Sequence, residues 1–151
     1  MNRPLPARRA NFRYFHALST RWKDNDVFGH VNNVEYYSFF DSCVCTHLLE
    51  SGLLHITGSD AIPVVVESRC TYHASAAFPD RITVGMRVGR MGGSSVRYEL
   101  AVFRNDDDSA AAEGYFTHVY VARETMRPVP LPDAVRATLR PLTPPQPTPP
   151  G

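Results

Sequence analysis

The chain has 151 residues, an ordinary apolar share and a formal net charge of +1, enough for one domain with its own core. So slight a charge gives no electrostatic reason to expect a nucleic-acid partner or a membrane surface, and no apolar run reaches the length of a membrane span. The cysteine count of three is odd, which points to reduced thiols; with no greasy stretch after Arg8 and Arg9 to make an export signal, a cytoplasmic protein is expected.

Residues 1–10 read as a flexible arm ahead of a single domain over 11–140. The aromatic-rich run from Phe12 to Trp22 predicts a first strand. A loop from Asp24 to Val31 carries Gly29, and a helix is expected from Asn33 to Glu50. Asn32 or Asn33 supplies its N-cap, Glu35 sits in its first turn, and Gly52 stops it. Apolar residues from Val34 to Leu49 cover most of its circumference, leaving only Glu35, Ser38, Ser42 and Thr46 as a polar stripe. A helix apolar over so wide an arc must be enclosed.

The enclosure follows in sequence. Val64 to Tyr72, Ile82 to Val88, Val96 to Val102 and Ala111 to Arg123 show the period-two patterning of strands. Gly92-Gly93 and the run Asn105–Asp108 supply turns. The strands, joined mainly by hairpins, predict an α+β chain in which a curved antiparallel sheet wraps one greasy helix. Dimerisation would cover any apolar outer face. Pro128, Pro130 and Pro132 end the sheet, Asp133 to Leu139 predicts a short helix, and residues 141–151 form a proline-rich tail expected to be disordered. Its P-x-x-P character would suit an SH3-type groove.

The chemistry concentrates where the loop meets the long helix. A helix N-terminus presents unpaired N–H groups that stabilise an anion, including the oxyanion of an attacked carbonyl. Asp26 lies seven residues before Asn33 with Gly29 between them, so a carboxylate can share that space. The plain alternative is that Asp and Asn merely cap the helix. A calcium loop is a rival, because Asp24, Asp26, Gly29 and Glu35 take the first, third, sixth and twelfth EF-hand positions. Phe28 occupies the fifth, where an oxygen ligand belongs, and the preceding segment reads as strand. Cys43 and Cys45 cannot chelate together, pointing about 200° apart on a helix of ~3.6 residues per turn. No G-x-S-x-G marks a serine nucleophile. No metal is expected.

The run Arg21, Trp22, Asp24, Asp26, Gly29, His30, Val31, Asn32, Asn33, Tyr36 closely resembles the signature of hotdog-fold acyl-CoA thioesterases of the 4-hydroxybenzoyl-CoA thioesterase-like family. The resemblance covers nearly everything but the two tails. It implies a helix wrapped by a curved sheet, homodimers or homotetramers with active sites at the dimer interface, and hydrolysis of an acyl-CoA without cofactor. It maps the catalytic acid onto Asp26 and the carbonyl-polarising amide onto Asn33, with Val34 beside it. His30 and Asn32 are candidates for substrate contact, and Asp24 is read as a loop acceptor. Arg69 and His73, on the stretch that a partner contributes in the family, are candidate wall residues. Arg81, Arg87, Arg90 and Arg97 are available cations for CoA phosphates. Two alternatives stay open: an acyl-carrier-protein thioesterase, and a non-catalytic acyl-CoA binder.

Overall fold

A computed structural model describes residues 4–55 and 57–144; of the tail expected over 141–151, residues 145–151 lie outside the described residues, while its start is not disordered, Arg140–Leu142 forming a 3-10 turn with Leu142 against the core. The chain runs β1 (Tyr14–Ser19), α1 (Asn33–Glu50), β2 (Ala61–Tyr72), β3 (Arg81–Met91), β4 (Ser95–Arg104), β5 (Ala112–Ala122) and α2 (Asp133–Leu139). The five strands form one antiparallel sheet in the order β1-β3-β4-β5-β2. Only β3–β4 and β4–β5 are neighbours both in sequence and in space. The chain crosses the sheet between β2 and β3, and the other two connections among the last four strands are hairpins, as expected.

The sheet curves around α1 in the expected hotdog arrangement. Phe40, Cys43 and Val44 are fully buried and Leu48 nearly so, packed with Val84, Met86, Val88, Tyr98 and Leu100 from the sheet. Burying side chains of this size stabilises the fold by roughly 1.5–3 kcal/mol each. Ser38, Asp41 and Ser42 stay exposed, together with Val34 and Leu49 near the two ends, so the sheet wraps the rest of the helix and leaves this side open. One residue decides how closely sheet and helix meet. A Cβ on Gly114 would lie 1.9 Å from the Arg69 carbonyl oxygen and 2.9 Å from the Phe40 ring.

The N-terminal segment is tied down from Ala7 onward, not loose as its composition suggested. The Ala7 N–H donates to Glu113 Oε2 (3.0 Å), and Arg8 bridges Ser109. Phe12 is not in β1 but lies on the outer face, edge-on to Phe103 at 5.9 Å and against Gly85. It forms a second small core with Ala101, Phe103 and Ala110. The apolar patch around Phe103 on the outer face is thus covered by the chain's own arm, while the twelve-residue edge of β2 has no strand on its far side among the described residues. Val65 and Val66 are exposed there. The three cysteines are unpaired; burial pushes Cys43 up to about 12, and Cys45 and Cys70 up to about 11. No helix among the described residues is long and apolar enough to cross a membrane.

Candidate active site

Asp24 builds the loop ahead of α1. It is 1% exposed, and its carboxylate accepts from the Arg21 N–H at 2.7 Å and from Arg21 Nη2 at 3.0 Å. Its carbonyl accepts the Asn32 N–H at 2.8 Å. Both ends of the loop are thereby clamped, and Asp24 has the acceptor role that its position suggested. Gly29 turns the chain with φ +82°, a conformation other residues rarely adopt, and donates its N–H to the Asp26 carbonyl (3.1 Å). Val31 plugs into the core and fastens the loop to the β2–β3 connection through its N–H to the Ala76 carbonyl, 2.8 Å.

Within this frame Asp26 Oδ1 accepts the Phe28 N–H at 2.9 Å, a local turn that fixes the side chain. Its Oδ2 has no hydrogen-bond partner among the described residues. Asp26 lines a cleft of about 360 Å³ shared with His30, Asn33, Tyr36, Tyr72 and His73, and it also borders a neighbouring cleft with Trp22 and Phe28.

Asn32 is the N-cap of α1. Its Oδ1 accepts the Val34 N–H at 3.0 Å and its carbonyl accepts the Glu35 N–H at 3.0 Å. The Asn33 N–H has no partner among the described residues. Of the first three helical amides, one is therefore open, and its residue lines the same cleft as Asp26. This separates the candidates named from sequence. Asn32 spends its side chain on the cap. Val34 is 63% exposed, does not line the cleft, and has its amide already engaged. Arg69 is exposed on edge strand β2, paired in register with Tyr115, and is not among the cleft residues of this chain. His73 lines the cleft of its own chain, where a partner's contribution had been expected.

Further residues shape the site in ways that sequence spacing does not show. The Tyr72 hydroxyl donates to the Asn33 carbonyl at 3.1 Å, tying the end of β2 to the first turn of α1. Burial pushes the Tyr72 phenol up, with Cys70 adding to the effect, so it remains a donor. Tyr36 packs edge-on to Tyr72 at 5.1 Å. His73 Nε2 sits 2.7 Å from Glu113 Oε2, the same oxygen that accepts the Ala7 N–H. Glu113 thus orients a histidine in the cleft wall and anchors the N-terminal arm. No signal in the sequence linked Glu113 to the site, since the contact spans forty positions and exists only through the β2–β5 pairing.

Of the arginines considered for phosphates, Arg81 pairs with Asp106, Arg87 with Glu99, and Arg97 lies 3.7 Å over the Tyr115 ring. Arg90 lies with Arg136 and Arg140 in a cleft whose lining is separate from that of Asp26. Among the described residues no group of three or more His, Cys, Asp or Glu is arranged to hold a metal ion.

A family model described as the thioesterase-like superfamily matches residues 20–139. PA5185 from Pseudomonas aeruginosa strain PAO1 is 49% identical, with a TM-score of 0.88 over 91% of this chain and 96% of that one. PA2801 from the same species is 30% identical, with a TM-score of 0.77 over 82% and 95% of the two chains. Slr0204 from Synechocystis, a 1,4-dihydroxy-2-naphthoyl-CoA thioesterase, shares the fold at 16% identity, with a TM-score of 0.77 over 83% of this chain and 94% of that one.

Proposed function

The chain belongs to the thioesterase-like superfamily, and from that premise we propose that it hydrolyses an acyl-CoA thioester to the free acid and CoA. The observation that carries the proposal is the pairing of an unengaged amide, Asn33 N–H, with an aspartate in one cleft. The thioester carbonyl oxygen accepts from Asn33 N–H, and the positive end of α1 favours the negative charge that grows there. A water, deprotonated by the free oxygen of Asp26, adds to the carbonyl carbon. The tetrahedral intermediate then collapses, breaks the C–S bond and releases the CoA thiolate and the acid. In the direct variant Asp26 itself attacks, and water opens the resulting mixed anhydride. A thiolate leaves without strong acid assistance, and neither route draws on a metal or cofactor. His30 and His73, which line the same cleft, orient water or substrate.

The long unpaired edge of β2 supports a homo-oligomer built by pairing two copies, as a dimer or a tetramer, in a cytoplasmic enzyme. Trp22, Val27 and Phe28 are exposed beside the cleft; they favour, as the second reading, a protein-borne acyl group as substrate.

The test is a hydrolysis panel of acyl-CoA and acyl-carrier-protein thioesters, run with the parent, Asp26→Ala and Asp26→Asn. Turnover by the parent and its loss in both folded variants is the expected result. Binding of acyl-CoA without release of CoA by the parent would leave a non-catalytic binder. Single turnover in ¹⁸O-labelled water tests the direct route: label on Asp26 arises only when water opens the anhydride at the aspartyl carbon, whereas opening at the acyl carbon labels the product acid, as the water route does.

A further inference from the structure

Along one face of α1, Asn33, Tyr37, Asp41 and Cys45 recur at four-residue intervals. The first lines the reactive cleft. The last two line a second pocket of about 300 Å³, together with Leu54, Ile62, Pro63, His118 and Arg123. From Asn33 to Asp41 the helix climbs about 12 Å, and to Cys45 about 18 Å, at ~1.5 Å per residue. β2 runs alongside in the opposite sense, with Tyr72 at the cleft and Val65, Pro63 and Ile62 at the second pocket. Aromatic rings lie between them: Tyr37 stacks on Phe116 at 6.3 Å, and Phe116 lies 6.5 Å from His118.

His118 is the anomaly in this apolar setting. It is 3% exposed, and neither ring nitrogen makes a hydrogen bond among the described residues. Tyr98, whose ring is 5.3 Å away, has a buried hydroxyl that is likewise unpartnered. Groups buried in this way normally find a partner, so two adjacent exceptions beside a pocket mark a place for one.

We propose that the acyl group lies along this face of α1, and that His118 recognises a hydroxyl near the far end of the chain or ring. This rests on the thioesterase reading. Burial holds the His118 imidazole at about 4, so it is neutral at ordinary pH and suits a neutral hydroxyl.

Acyl-CoA pairs of increasing length, each with and without a terminal hydroxyl, test this against the parent, His118→Phe and His118→Gln. In the parent, the hydroxyl raises kcat/KM roughly two- to tenfold, the span of one neutral hydrogen bond. The gain appears only at lengths that reach the second pocket and is expressed mainly in KM. His118→Phe brings the ratio to one, and His118→Gln keeps part of it. Parental turnover with no hydroxyl preference at any length overturns the inference and leaves the thioesterase reading intact, as does a preference that His118→Phe preserves. Absence of turnover on every thioester overturns both.

Discussion

Asn33→Pro isolates the proposed carbonyl donor with little change to the fold. Asn33 is the first helical residue, a position where proline fits because its missing N–H has no intrahelical role. The preceding Asn32 has φ −61° and ψ 140°, in the extended region that a following proline requires. The substitution keeps the Asn33 carbonyl that receives the Tyr72 hydroxyl, and the cap from Asn32 to the Val34 N–H. Stability should stay within about 0.5 kcal/mol of the parent, as for substitutions that break no buried contact. The next two amides are already bound to Asn32, so no neighbour can replace the lost donor. The expected loss in kcat is therefore about 10²–10³-fold, or ~3–4 kcal/mol. Steady-state kinetics of Asn33→Pro and Asn33→Ala form the assay, with CoA affinity by calorimetry to show that the proline ring leaves the cleft open. Asn33→Ala retains the N–H and should stay close to parental. If kcat survives in Asn33→Pro, this amide does not polarise the carbonyl, and the mechanism loses its electrophilic half.

Asp24→Ala removes the acceptor for the Arg21 N–H and guanidinium, and should destabilise the chain by about 2 kcal/mol in denaturant melts, with loss of activity following loss of the loop. Gly114→Ala drives a methyl into the Arg69 carbonyl and the Phe40 ring, and should cost about 3 kcal/mol or more, or prevent soluble expression. His118 binds its proton more weakly in the fold, at about 4, than at its ordinary 6.5. The unfolded chain therefore takes up the extra proton as pH falls between those values. The stability that His118 contributes is complete above 6.5 and falls by about 3 kcal/mol by pH 4. Melts across this range should show the parent losing stability relative to His118→Phe, and parallel curves would refute the burial argument.

The sequence by itself determined which elements form and where the chemistry gathers. The aromatic and aliphatic run from Val34 to Leu49 leaves so little polar surface that α1 has to be enclosed, and the alternating strands that follow are fit to enclose it. Asp26, Gly29 and Asn33 could be singled out because their relation is local, a loop a few residues long ending at a helix whose amides are open by construction. Tertiary structure decided what distant segments do to that local design. Asp24 and Asp26 look alike in sequence, yet packing buries one against Arg21 and leaves the other on the wall of a cleft. Phe12 reads as strand, yet the covering of Phe103 draws it to the outer face. His118 reads as one more strand residue until the curl of the sheet places it under α1 without a partner. The physical reason is the same in each case. Helix periodicity, capping and turns depend on neighbours a few bonds away, whereas burial and pairing depend on which far segments arrive, and no short pattern carries that information.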